Sequence, residues 1–95
     1  MTEEPVFLDN VSAAEVRRFY PEGARKAKIE GVVRARLTLD GEGRVIRVVV
    51  VEDPGNGFGA AAMKLARLYR FKPARINGRS VATEIPFTIR FELDE

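Results

Sequence analysis

Residues 85 to 93 read Ile85-Pro86-Phe87-Thr88-Ile89-Arg90-Phe91-Glu92-Leu93, and this stretch decides the fold because an apolar side chain recurs at every second position. Strict alternation is typical of a strand with one buried face. Burying each large apolar side chain contributes roughly 1.5 to 3 kcal/mol. The apolar face consists of Ile85, Phe87, Ile89, Phe91 and Leu93. A small domain has to cover such a face, so the stretch predicts a sheet packed against helices.

Pro86 indicates that this strand lies at the edge of its sheet. Proline has no backbone N–H for a ladder hydrogen bond and is found mainly on edge strands. An edge strand presents unpaired N–H and C=O groups, to which an extended peptide can add as a further strand. We therefore expect the earlier part of the chain to cover the apolar face and to leave one backbone edge open for a partner's peptide.

Length and composition predict one compact domain without the usual catalytic groups. The chain has 95 residues, with 16 Lys plus Arg against 14 Asp plus Glu, which leaves little net charge to indicate nucleic acid. It has no His and no Cys, which excludes imidazole bases, thiol nucleophiles and the common zinc sites. We expect no enzyme activity, no metal and no cofactor. No apolar run approaches the ~20 residues that span a bilayer and no signal peptide opens the chain, so we expect either a cytosolic protein or an excised piece.

The chain is predicted to divide into an acidic arm, residues 1–11, and a single domain, residues 12–95. Ser12 and Glu15 form a capping box, which predicts a short helix to about Phe19. Pro21 disfavours helical geometry at the preceding residue and suits the first turn of a second short helix over residues 22–28. The sequence therefore predicts a bend between two helical turns at Tyr20.

Two β-rich runs, residues 32–39 and 44–51, flank a short connection with two glycines and predict a β-hairpin. In the second run Ile46, Val48 and Val50 form the expected core face. Apolar residues on its other face suggest a cover there, for which the arm segment Val6-Phe7-Leu8 is the candidate.

Residues 58–71 are predicted to form the main helix, which Pro73 ends and the turn Asn77-Gly78 follows. Its apolar face comprises Phe58, Ala61, Ala62, Leu65, Leu68 and Tyr69. The element order is then helix, strand, strand, helix, strand. We predict an α+β fold of two layers, with helices on one face of a three-stranded antiparallel sheet in the spatial order second, first, third strand.

Short motifs follow one another from about residue 19 to residue 93. They are Tyr20-Pro21-Glu22-Gly23-Ala24, Ile29-Glu30-Gly31-Val32-Val33, Asp40-Gly41-Glu42-Gly43-Arg44-Val45, Gly57-Phe58 with Ala61-Ala62, Arg70-Phe71-Lys72-Pro73-Ala74, Asn77-Gly78 and Pro86-Phe87-Thr88-Ile89-Arg90-Phe91. In order and spacing they resemble the motifs of the TonB C-terminal domain family. The resemblance implies a periplasmic module at the end of a protein anchored in the inner membrane, which couples the proton gradient to outer-membrane receptors.

The resemblance also implies how the module binds. The family adds a short receptor segment, the TonB box, as a strand on the edge of its last strand. Carried over by position, the partner-binding residues are Phe19, Tyr20, Pro21, Thr88, Ile89, Arg90, Phe91, Glu92 and Leu93, with Phe19 standing where family members often have Gln. The implied partners are a TonB-box-like peptide of an outer-membrane or envelope protein and, through upstream sequence, an inner-membrane proton-channel complex. A second copy of the domain can also pair with a free edge.

Nucleic acid is the alternative partner. Arg34, Arg36, Arg47 and Arg90 are expected on the outer face of the sheet, where they can meet phosphates. A sheet that stacks bases needs outward aromatic residues, whereas Phe87 and Phe91 have the inward parity.

Two loops are weaker candidates for ligand binding. Residues 55–59 follow a strand and open a helix but lack phosphate-loop spacing, and residues 40–43 suit a hairpin turn better than a calcium loop.

Overall fold

The computed structural model describes residues 2–9 and 13–93. Within them the helices are α1 (Ala13–Arg18), α2 (Glu22–Lys26) and α3 (Phe58–Ala66). The strands are β1 (Thr2–Glu3), β2 (Val6–Asp9), β3 (Gly31–Leu39), β4 (Val45–Glu52), β5 (Arg70–Lys72), β6 (Ala74–Ile76), β7 (Arg79–Val81) and β8 (Thr83–Phe91).

The main sheet contains three antiparallel strands in the order β4, β3, β8. The ladder between β3 and β8 runs from Gly31 opposite Phe91 to Leu39 opposite Thr83 without a register shift. A continuous ladder is what the alternating sequence of β8 favours, because a slip by one residue would turn its apolar side chains to solvent. The predicted α+β architecture and strand order are confirmed.

The core lies between this sheet and the helices, and α3 packs on β3 and β4. Phe87, Ile89 and Phe91 of β8 are buried, while Thr88 and Arg90 on the opposite face are exposed. The largest fully buried side chains are Phe58, Phe91, Leu37, Leu39, Leu65 and Val33.

Strand β4 departs from the predicted pattern because it carries two bulges. Its register against β3 shifts between the partners of Arg34 and Ala35 and again between those of Thr38 and Leu39. The extra residues are Val51 and Ile46, whose exposed fractions of 58% and 60% exceed those of the other large apolar residues described. The expectation that Ile46 faces the core is therefore wrong, since each bulge reverses the alternation on one side of it.

The arm pairs with a different part of the chain from the one expected. Val6 lies opposite Lys72 and Phe7 opposite Phe71 in one ladder, and Glu3 opposite Arg75 in the other. Both ladders share one register, which sets Pro5 opposite Pro73 at the interruption between them, where neither residue has an N–H to donate. The arm thus pairs with the segment 70–76, and the predicted cover of β4 by the Val6-Phe7-Leu8 side chains lies outside what the structure describes.

The main helix is shorter than predicted. It ends at Ala66, and residues 70–72 form β5, whose Phe71 N–H donates to the Gly43 carbonyl. Leu68 is consequently 47% exposed and does not belong to the apolar helix face. The predicted turn at Asn77-Gly78 connects β6 to β7, with positive φ at both residues as a two-residue hairpin turn requires.

Gly43 allows β5 to approach the turn between β3 and β4. Its φ is +83°, and a Cβ built on it would lie 1.8 Å from the Phe71 carbonyl oxygen. Gly55 has nearly the same φ, +85°, but no atom within 4 Å of such a Cβ. We expect Gly55→Ala to lower the free energy of unfolding by about 1–2 kcal/mol through backbone strain alone and Gly43→Ala to lower it clearly more. Chemical denaturation of both variants measures the difference, and equal losses would contradict this account of Gly43.

Candidate peptide-binding edge

The hydrogen-bond parity of β3 identifies which backbone groups of β8 point outward. Just past the end of β3, the Asp40 N–H donates to the Arg44 carbonyl on the β4 side at 2.9 Å. Successive residues of a strand direct their N–H and C=O groups to opposite sides. Even-numbered residues of β3 therefore face β4, and odd-numbered residues face β8. In the β3–β8 register, odd residues oppose odd residues, so the even residues of β8 point outward.

Two observations, one on β8 and one just past its end, agree with this parity. Pro86 has an even number, so the position without an N–H faces away from β3. Leu93 has an odd number, and its N–H donates to the Glu30 carboxylate, on the β3 side, at 2.7 Å. Sequence reasoning assigned no separate role to Glu30, which it included only within the motif Ile29-Glu30-Gly31-Val32-Val33.

From Pro86 onward, the free edge of β8 is thus formed by the backbone N–H and C=O groups of Thr88, Arg90 and Glu92, together with the Pro86 carbonyl; Glu84, nearer the start of β8, has the same outward parity. Over residues 2–9 and 13–93, β3 is the one strand hydrogen-bonded to β8. Pro86, Thr88, Arg90 and Glu92 are exposed. The other predicted β8 contacts, Ile89 and Phe91, have buried side chains and direct their backbone groups to β3.

Tyr20 lies in the core rather than on the surface. Its ring is 7% exposed, and it makes edge-on contacts with Phe58 and Phe91 at centroid distances of 5.5 and 5.7 Å. Its hydroxyl donates to the Ile29 carbonyl at 2.5 Å. The neighbouring Phe19 and Pro21 are half-buried. Tyr20 therefore connects the helical segment to β8. Phe19 and Pro21 are the residues of this bend whose side chains are partly accessible to a partner.

Burial, and secondarily the negative charge of Glu30, raises the pKa of the Tyr20 hydroxyl above its ordinary value of about 10. The folded state therefore keeps a proton that the unfolded chain releases above about pH 10, and the free energy of unfolding falls as pH rises through that range. We expect Tyr20→Phe to lose about 0.5–1.5 kcal/mol at pH 7 and to show a weaker alkaline decline. Some decline remains because burial also raises the pKa of Tyr69. Urea denaturation at pH 7 and above pH 10 measures both effects, and an unchanged alkaline decline would argue against the assignment.

The opposite edge of the sheet, β4, is a poorer template for an added strand. Its two bulges leave only residues 47–50 in regular register with β3. Bulges twist and interrupt a strand, and natural sheets use them to protect edges from pairing. The ladder of β8, by contrast, is regular throughout.

The arginines of the outer face are partly neutralised within the chain. Arg34 pairs with Glu52 at 3.3 Å and Arg36 with Glu84 at 2.7 Å. Phe87 and Phe91 are buried, so neither is available to stack on a base. This arrangement does not favour the nucleic-acid alternative.

The two loops considered from sequence are both turns. Gly55, Asn56 and Gly57 all have positive φ and lead into α3. At the other loop the Asp40 carboxylate accepts from the Arg44 N–H at 3.0 Å and the Glu42 N–H at 2.9 Å, bonds that hold its pKa below the usual range.

Across residues 2–9 and 13–93, no three His, Cys, Asp or Glu side chains are grouped to hold a metal ion. Over the same ranges, no helix has the length and apolar character needed to cross a bilayer.

Comparison with known proteins adds three findings. Residues 16–93 match the family model described as Gram-negative bacterial TonB protein C-terminal. The chain is 31% identical over 97 aligned residues to Protein TonB of Vibrio cholerae serotype O1, covering 99% of this chain and 40% of that protein. It also resembles the solution NMR structure of the Pseudomonas aeruginosa TonB CTD, with a TM-score of 0.68 and 25% identity over 99% of this chain and 88% of the other.

Proposed function

This chain belongs to the Gram-negative bacterial TonB protein C-terminal family, and from that premise we propose that it binds a TonB-box-like segment of an outer-membrane or envelope protein as an added strand on β8. Members of this family are interaction modules and not enzymes. The observation that carries the proposal is the free edge of β8, where Thr88, Arg90 and Glu92 offer backbone groups to no other described strand.

The number of available groups predicts weak and reversible binding. From Pro86 to Glu92, three outward N–H groups and four outward carbonyls support only a few hydrogen bonds, each worth a net ~0.5–1.5 kcal/mol. Association costs at least ~4 kcal/mol in lost translational and rotational freedom. A short peptide therefore depends on side-chain contacts as well, and these supply selectivity because backbone pairing reads no sequence.

The proposed side-chain contacts lie at the end of β8 near the helical bend. Phe91 is in ring contact with Tyr20, so the end of β8 that carries Arg90 lies at the helical bend to which Phe19 and Pro21 belong. We assign these two half-buried residues to the side-chain part of the site, and Tyr20 to holding them in place.

The biological setting of this proposal rests on the family. The chain spans 40% of the length of the curated relative. We place the domain in the periplasm, as the C-terminal part of an inner-membrane-anchored protein whose upstream region engages a proton-channel complex. In that setting the domain is pulled from its upstream end, and β8 transmits the pull to the bound segment. Without a peptide the same edge accepts a second copy of the domain, which sedimentation over a range of concentrations tests.

Titration of the ¹⁵N-labelled domain with a synthetic TonB-box peptide tests the proposal. We expect amide shifts concentrated on residues 87–93 and around Phe19 to Pro21. The matched control is the same peptide with alternate amides N-methylated in the two possible phases. One phase removes the donors facing β8 and abolishes binding, whereas the other phase binds as before.

Two results would contradict the proposal. One is equal binding by both methylated peptides, since strand addition distinguishes their phases. The other is a set of shifts on β4 with none on β8. A parallel titration with an oligonucleotide at low and high salt tests the alternative, for which steep salt dependence through the arginines is the signature.

A further inference from the structure

The ladder between β3 and β8 ends at Phe91, one residue before Glu92, the last residue of the free edge. The last pair between the two strands is Gly31 opposite Phe91. Beyond it the chain before β3 makes no further ladder pair with β8, and it turns at Lys28, where φ is +57°. Glu92 and Leu93 therefore extend past their supporting strand.

The Glu30 side chain takes the place of the missing strand. Its carboxylate accepts the inward N–H of Leu93 at 2.7 Å, the position where the next backbone acceptor of β3 would have served. Glu92 is then held from both sides, by the Gly31–Phe91 pair before it and by the Glu30–Leu93 bond after it. Its own N–H and C=O groups stay directed outward.

The backbone around Glu30 is itself fixed. The preceding residue, Ile29, donates its N–H to the Ala24 carbonyl at 2.8 Å and accepts the Tyr20 hydroxyl on its own carbonyl. On the other side, Gly31 lies against the Phe58 ring, which a Cβ at this position would approach to 2.7 Å. The carboxylate thus extends from a short segment anchored to α2, to the Tyr20 ring and to the core.

We propose that Glu30 is a positioning residue that holds the last two residues of the peptide-binding edge in line and so sets its usable length. This inference rests on the proposed function and assigns that site a residue that does not touch the peptide. Without the acceptor, residues 92–93 fray and the edge loses the outward groups of Glu92. A TonB-box peptide that reaches Glu92 then binds roughly tenfold more weakly, the equivalent of one or two net hydrogen bonds.

Three variants in the same domain test the inference. Glu30→Ala removes the acceptor. Glu30→Gln keeps an oxygen for the Leu93 N–H and removes the charge, so it rescues a positioning role. Glu52→Ala is the charge-matched control, because Glu52 pairs with Arg34 at the opposite edge of the sheet. The readouts are amide hydrogen exchange at Leu93 without peptide, and the Kd of the TonB-box peptide at full length and trimmed at the end that reaches Glu92.

We expect faster exchange at Leu93 in Glu30→Ala, with wild-type exchange at Ile89 and in the other two variants. The roughly tenfold loss of affinity should appear for the full peptide in Glu30→Ala and vanish for the trimmed peptide. Unchanged exchange at Leu93 would overturn the inference, as would an equal loss of affinity in Glu30→Gln or for both peptide lengths. If the wild-type domain binds no peptide, the proposed function fails, and the exchange data still decide whether Glu30 holds Leu93.

Discussion

Replacing Arg90 with proline is expected to abolish binding of a TonB-box peptide while leaving the domain folded. Arg90 has the outward parity, so proline at this position removes the central N–H of the free edge and no bond to β3. Its ring also obstructs a strand lying alongside. The same strand already contains Pro86 at the same parity. We expect affinity to fall by at least about 100-fold, since one lost donor, costing ~0.5–1.5 kcal/mol, is joined by exclusion of the neighbouring pairs.

Two companion variants separate the backbone effect from other causes. Arg90→Ala removes the same charge and side chain but keeps the N–H, so it should retain most of the affinity if backbone pairing dominates. Ile89→Pro places the proline at the inward parity, where it breaks a ladder bond to Val33 and disturbs a buried side chain. It should therefore unfold the sheet edge. Circular dichroism and isothermal titration calorimetry distinguish these results, and full binding by folded Arg90→Pro would exclude β8 edge pairing.

The parts of the fold that followed from sequence are those governed by a regular period. Alternation over residues 85–93 predicted the buried face of β8, and Pro86 predicted an edge strand. Both agree with the structure because the β3–β8 ladder has no irregularity to shift the phase. The turn at Asn77-Gly78 was predictable for a local reason, since both residues tolerate the positive φ that such a turn demands.

The parts that sequence did not predict depend on contacts between distant segments. The bulges at Ile46 and Val51 reverse the phase of β4, and nothing in a run of valines marks where a bulge falls. The pairing of the arm with residues 70–76 is equally hidden, because it joins segments far apart in sequence and uses short strands interrupted by proline. Tyr20 is a similar case at the site, because its sequence neighbours predict a bend but do not predict that its ring is buried.

These differences also explain why one edge is suited to a partner and the other is not. The strand with the clear sequence period has the regular, open edge, whereas the strand with the irregular pattern has an edge interrupted by bulges. The C-terminal end of β8 rests on a group of three aromatic rings in mutual contact, Tyr20, Phe58 and Phe91. The stability of this aromatic group is therefore expected to control the site.

Phe58→Ala is expected to produce the largest loss of stability. The ring is fully buried, contacts Tyr20 and Phe91 at centroid distances of 5.5 and 5.1 Å, and lies directly on the backbone of Gly31. Truncation removes the buried apolar surface and leaves a cavity, at a cost of about 3–5 kcal/mol. For a domain of this size, each 1 kcal/mol lowers Tm by roughly 4–8 °C. Leu68→Ala, at an exposed position just beyond the same helix, is the control and should change stability by no more than about 0.5 kcal/mol.

A double-mutant cycle with Gly31 tests whether the contact between the Phe58 ring and the Gly31 backbone of β3 is responsible for the loss of stability. Gly31→Ala alone should be destabilising, because its Cβ would lie 2.7 Å from the Phe58 ring. In a Phe58→Leu background the same substitution meets a smaller side chain, so its cost should fall by at least about 0.5 kcal/mol, the coupling expected of residues in contact. Additive losses would mean that Gly31 is required for another reason, such as its approach to Pro54. Coupling would instead indicate that glycine is needed there so that an aromatic ring can support the start of β3, and with it Glu30 and the end of the peptide-binding edge.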